Sequence, residues 1–140
     1  MWSKRAYVDH LKGLDLFSGF SRKDLEAVAS VGQHLSVKAG TVLAKQDEEG
    51  FDAFVVLSGA VAIKRNRRMV CEVGAGSIIG ELAIIDHGLR TATATCVTDC
   101  EILVLSRGSF RGTVERVPAL QHKLLATLAG RVRELDKRIL

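Results

Sequence analysis

Cysteine, histidine and aromatic residues are all scarce in this chain, and each scarcity closes off a class of function. Three cysteines, Cys71, Cys96 and Cys100, are too few and too unevenly placed for a disulfide framework or a zinc pattern, so they read as small reduced residues. The four histidines, His10, His34, His87 and His122, stand apart from one another. No pair has the spacing of metal ligands, which sets aside the metal-dependent jelly-roll enzymes and leaves no metal site expected. Aromatic residues make up 5% of the chain, and none interleaves the basic runs as a base-stacking surface would require. No Gly-x-Ser-x-Gly and no Cys/His arrangement offers a nucleophile, so no catalytic residue and no enzyme is expected. No apolar run approaches the roughly 18 residues of a membrane helix. Lys4, Arg5, Asp9, Lys12 and Asp15 interrupt the first twenty residues, which leaves no apolar core for a signal peptide. The expected compartment is the cytoplasm.

What is present fits one folded unit. The chain of 140 residues suits a single domain. A domain of that size buries roughly 65–70% of its unfolded surface and needs no staples. The net charge of +4 comes from 20 basic and 16 acidic residues, and the two signs are mixed along the chain. The densest basic run, Lys64-Arg65-Asn66-Arg67-Arg68, lies between two β-patterned segments and reads as a solvated hairpin turn. A second, from 131 to 138, is broken by Glu134 and Asp136. Direct DNA binding by this chain is therefore not expected.

The order of elements follows from period and punctuation. Residues 1–34 read as short helices. Ser21 can cap one of them, with Asp24 at the reciprocal position, Leu25, Val28 and Ala29 as its apolar stripe, and Gly32 at its end. Leu14, Leu16, Phe17 and Phe20 form a patch that packs this segment on the body. Residues 35–106 alternate short β-branched runs with glycines. Val37, Thr41-Val42-Leu43, Phe54-Val55-Val56-Leu57, Val61-Ala62-Ile63, Met69 to Val73 and Ile102 to Leu105 read as strands. From Arg90 onward, Ala92, Ala94 and Cys96 fall on one strand face and Thr91, Thr93 and Thr95 on the other. Many short strands with glycine turns imply a mainly-β fold, a jelly-roll barrel with flanking helices. Residues 107–140 return to helix. An amphipathic segment from Ser109 to Val117 precedes Pro118, which suits the first turn of a new helix. Leu125, Leu128, Val132, Leu135 and Ile139 then recur at spacings of three and four, a seam that must pack on the barrel, on a second copy, or on both.

The chemistry concentrates in Gly80-Glu81-Leu82-Ala83-Ile84-Ile85-Asp86-His87-Gly88-Leu89-Arg90-Thr91-Ala92. Glycines lead into a short helical turn whose free N–H groups suit an anion. Arg90 follows at the start of a strand, and an arginine fork matches phosphate oxygens in pairs. Glu81 would repel a phosphate, so it should face a hydrogen-bond donor such as a sugar hydroxyl. One segment thus offers a cationic fork and an amide nest to one anion.

The segment resembles the phosphate-binding cassette of the cyclic-nucleotide-binding domain family, which includes protein kinase A regulatory subunits and catabolite activator proteins. The family pattern is Gly-Glu-Leu-Ala, six residues, then Arg followed by Ala, Thr or Ser and by Ala, and the spacing here agrees. Leu57-Ser58-Gly59 and Gly74-Ala75-Gly76 also sit at family glycine turns, so the likeness covers nearly the whole chain. Ile79 stands where many members have Phe, and Leu89 where many have Pro. The resemblance implies that Glu81 accepts from the ribose 2′-hydroxyl and that Arg90 pairs with the cyclic phosphate. It also implies that N–H groups of Leu82, Ala83 and Thr91 or Ala92 complete the nest, with Gly80 allowing close approach. The ligand is then cAMP or cGMP, with no cofactor. The compact architecture and mixed C-terminal helix lean toward bacterial members and toward cAMP. The implied role is a receptor that relays binding through its C-terminal helix to a partner, either an effector protein or a second copy. Two other readings use the same fold: the nucleotide-binding half of a transcriptional regulator, with its DNA-binding half beyond Leu140, and a ligand-free scaffold in which Glu81 and Arg90 form an internal ion pair.

Overall fold

Three serines start three helices. Ser3, Ser21 and Ser106 each accept from a backbone N–H three residues on, at 3.1, 3.1 and 3.3 Å, which satisfies one of the donors a helix start leaves open. In the computed structural model, which describes residues 3–14, 17–80 and 88–139, these open α1 (Lys4–Lys12), α2 (Arg22–Val31) and α3 (Arg107–Arg116). The third helix begins two residues before Ser109, because the last residue of the preceding strand is its cap. Pro118 then takes the first position of α4 (Pro118–Ile139), where a missing N–H costs nothing.

Between the helix pairs lie eight strands: β1 (Gln33–Val37), β2 (Val42–Ala44), β3 (Asp52–Ser58), β4 (Val61–Arg65), β5 (Arg68–Val73), β6 (Ile78–Ile79), β7 (Thr93–Cys96) and β8 (Cys100–Ser106). They form two antiparallel sheets, ordered β1-β8-β3-β6 and β2-β7-β4-β5. This is the expected mainly-β fold with flanking helices. The barrel, however, is two facing sheets: among the described residues no named strand of one sheet pairs with a named strand of the other. β6 is two residues long and escaped the sequence pattern for that reason.

The first sheet is covered twice. One face packs on α1, α2, α3 and the start of α4 through Ala53, Val55, Leu57, Leu103 and Leu105. The other face packs on the second sheet through Phe54, Val56, Cys100 and Ile102. A strand buried on both faces must be apolar at successive positions, which explains the unbroken runs in β3 and β8. In β7 only one face is buried, so Ala94 and Cys96 point in while Thr93 and Thr95 stay half-exposed. The β4–β5 hairpin turns at Asn66 and Arg67, both at positive φ (52° and 66°), as the tight turns that suit strand twist require. The expected solvated basic turn is thus present.

Gly32 ends α2, but in extended backbone rather than in a left-handed cap. Its role is contact: a Cβ there would lie 2.4 Å from Leu103 Cδ1. Leu14 and Phe17 join the helical core with Phe20 against it, as expected of that patch, while Leu16 lies outside the described residues. α4 is anchored by Leu120 and Leu124. Beyond them, Leu125 and Val132 are 67% and 57% exposed. The side chains of Leu135 and Ile139 lie outside what is described.

Candidate phosphate-binding site

Arg90 is positioned first through its main chain. The Asp47 N–H donates to its carbonyl and its own N–H donates to the Glu48 carbonyl, both at 2.9 Å. One residue earlier, Leu89 bridges Glu49 in antiparallel fashion. The segment around residues 45–49 therefore grips the entry to β7 from one side. Asp47 takes a positive φ of 68° in that grip, a conformation that aspartate tolerates better than most side chains.

The guanidinium is buried, with Arg90 7% exposed. Nη1 donates to the Gly80 carbonyl at 3.1 Å and Nη2 to the Asp52 carbonyl at 2.7 Å. The group also lies 5.7 Å from the Phe54 ring centroid, within cation–π range. These contacts fix the plane of the fork. An unsatisfied buried guanidinium would be costly, so two carbonyl dipoles and an aromatic face lower the cost of keeping a cation here. Gly80 has φ +84°, and a Cβ on it would lie 2.0 Å from Arg90 Nη1. The missing side chain is what lets the arginine reach this position.

Of the residues singled out in the sequence, Gly80 and Arg90 are brought together, and Thr91 and Ala92 follow directly. Both precede β7 rather than belonging to it. Thr91 is exposed and Ala92 half-buried. Glu81, Leu82 and Ala83 lie outside the described residues, as does His87. The sequence reading missed Asp52, which contributes only a carbonyl that any residue could supply. It also missed the ring of Phe54 beyond its place in a strand, and Asp47 and Glu48, which act through backbone. Arg65, counted only among a solvated basic run, donates from Nε to the Thr91 carbonyl at 3.0 Å. Among the described residues no three His, Cys, Asp or Glu side chains are grouped as metal ligands would be, and no helix is long and apolar enough to cross a membrane.

The site is thus a buried arginine beside a positive-φ glycine in a two-sheet fold whose first sheet carries the helices on its outer face. The chain belongs to the cyclic nucleotide-binding domain family, whose model matches residues 34–117, a stretch that contains both Gly80 and Arg90. The cyclic AMP receptor protein of Thermus thermophilus is 32% identical over 131 residues, covering 90% of this chain and 61% of that protein. The crystal structure of a Thermus thermophilus catabolite activator protein superposes with a TM-score of 0.82 at 31% identity, covering 89% of this chain and 61% of that one. A cGMP-dependent protein kinase of Caenorhabditis elegans is 25% identical over 93% of this chain, which is 17% of the kinase. The chain thus spans about three fifths of the first relative's length and a small part of the kinase.

Proposed function

We propose that this chain is a cyclic-nucleotide receptor that binds cAMP in preference to cGMP at residues 80–92. The observation that carries the reading is Arg90, held near-buried with its fork fixed by the Gly80 and Asp52 carbonyls. A planar guanidinium is the side chain best matched to a phosphate diester's two free oxygens. In this reading Arg90 pairs with the cyclic phosphate, and N–H groups of Leu82, Ala83 and Thr91 or Ala92 close around it. Glu81 accepts from the ribose 2′-hydroxyl, while Gly80 leaves room for the arginine. The receptor acts by binding, not by catalysis.

Phosphate and ribose are common to both nucleotides, so preference must be read on the base. Thr91 is exposed beside the arginine, and in this reading α4 would close over the base as a lid. A protein named for cAMP matches 90% of this chain at 32% identity, and one named for cGMP matches 71% at 31%; the wider match favours cAMP. Binding would be relayed by a shift in α4 populations, toward a partner or a second copy that covers its apolar stripe. Titration with both nucleotides tests the reading. We expect tighter binding of cAMP, retained in Thr91→Ala. A preference for cGMP that collapses in Thr91→Ala would reverse the assignment of the base.

A further inference from the structure

The tip of the β4–β5 hairpin reaches back over the segment that leads from Arg90 into β7. Arg65 Nε donates to the Thr91 carbonyl at 3.0 Å. The next residue, Asn66, exchanges two hydrogen bonds with Gln46: its side-chain oxygen accepts from Gln46 Nε2 and its backbone N–H donates to Gln46 Oε1, both at 2.8 Å. The Gln46 backbone N–H in turn donates to Thr93 Oγ1 at 3.0 Å. Hairpin tip, loop and strand are thus tied into one frame around residues 90–93.

The frame takes hold of carbonyls. Asp47 N–H holds the Arg90 carbonyl, and Arg65 holds the Thr91 carbonyl. Both peptides are trans, and in a trans peptide the N–H points opposite to the carbonyl. Gripping the Thr91 carbonyl from the hairpin side therefore turns the Ala92 N–H the other way. Gripping the Arg90 carbonyl does the same for the Thr91 N–H.

Resting on the reading of residues 80–92 as a cyclic-phosphate site, we propose that Arg65 is a positioning residue for it: by holding the Thr91 carbonyl, Arg65 aims the Ala92 N–H at one free oxygen of the bound phosphate diester. It acts on the ligand through a backbone peptide and does not touch it. The basic run at 64–68 then has a task beyond solvation, carried by this one member.

The test is a titration of the full chain, native and Arg65→Met, with cAMP and with the two phosphorothioate diastereomers of cAMP. Each diastereomer replaces one free oxygen with sulfur, a poorer acceptor. Arg65 is exposed and its loss leaves no buried group unpaired, so the thermal midpoint should not move. Losing the aim of one N–H should weaken cAMP about three- to tenfold. It should cost the diastereomer with sulfur facing Ala92 much less than the other, so their affinity ratio shifts by a similar factor. Arg65→Lys should recover part of the loss. Equal weakening of both diastereomers, or unchanged affinity in Arg65→Met, overturns the positioning role while leaving the site itself intact. A native protein that binds neither cAMP nor cGMP overturns the reading of the site, and Arg65 with it.

Discussion

Gly80 and Arg90 interlock: the glycine carbonyl accepts from Arg90 Nη1 at 3.1 Å, and a Cβ on the glycine would lie 2.0 Å from the same nitrogen. The same Cβ would sit 3.1 Å from the Asp52 carbonyl oxygen, so the arginine must leave its fork. At φ +84° an alanine also carries backbone strain of about 1–2 kcal/mol. Gly80→Ala should therefore lower nucleotide affinity at least about tenfold and lower stability modestly, read by calorimetry and urea unfolding. An affinity equal to native in Gly80→Ala would mean that Arg90 does not need this position.

Gly59 separates stability from binding. Its φ is +100°, and a Cβ would lie 2.6 Å from both the Asp99 carbonyl and Cys100 Sγ. The backbone there has no room to give, and Gly59→Ala should cost about 2 kcal/mol or more in urea unfolding. An unchanged urea midpoint would show that the turn relaxes freely.

Glu101 ties β8 to β1. Ser36 Oγ donates to its Oε2 at 2.6 Å, and the His34 ring N–H donates to the same oxygen. Those two bonds, the serine's first, hold the Glu101 carboxyl below its ordinary 4.5. The unfolded chain then binds the proton more tightly than the folded one. The carboxylate's contribution is complete above that ordinary value and fades as pH falls through the lowered one. Between pH 5 and pH 3 the native protein should lose stability more steeply than Glu101→Gln. Parallel acid-side curves would remove Glu101 as a contributor.

The exposed stripe of α4 should serve association. Leu125 and Val132 leave most of their surface in solvent, so Leu125→Asp and Val132→Asp should fold normally. They should also abolish the self-association that we expect in sedimentation of the native protein with nucleotide. A native protein that stays monomeric with and without nucleotide would assign the stripe to another occupant.

How far the sequence could be read depended on whether a feature is written in side chains. Ser21 and Pro118 mark helix starts by their own chemistry, and both do so here. The runs at 54–57 and 102–105 are apolar because two cores meet there, and they were legible as strands. The cassette spacing singled out Glu81 and Arg90 as the pair; Glu81 lies outside the described residues, and the contact the fold does show, between Arg90 and the Gly80 carbonyl, was expected only as room for a close approach. Backbone roles left no such mark. Nothing in Asp52 or Glu48 announces a carbonyl offered to Arg90, and nothing in Arg65 distinguishes it from Arg67. Gly32 was legible as a helix end, but its reason, the approach of Leu103, depends on a strand 71 positions away. Two-residue β6 carries too few side chains for a period.

The central claim is that Arg90 binds the phosphate of a cyclic nucleotide. Calorimetric titration of the native chain and of Arg90→Ala with cAMP and cGMP tests it most directly. Removing one member of a buried charge pair costs about 3–5 kcal/mol, so the folded Arg90→Ala variant should bind at least about a hundredfold more weakly. A native protein that gives no binding with either nucleotide, or a folded Arg90→Ala that binds as tightly as the native protein, would contradict the account.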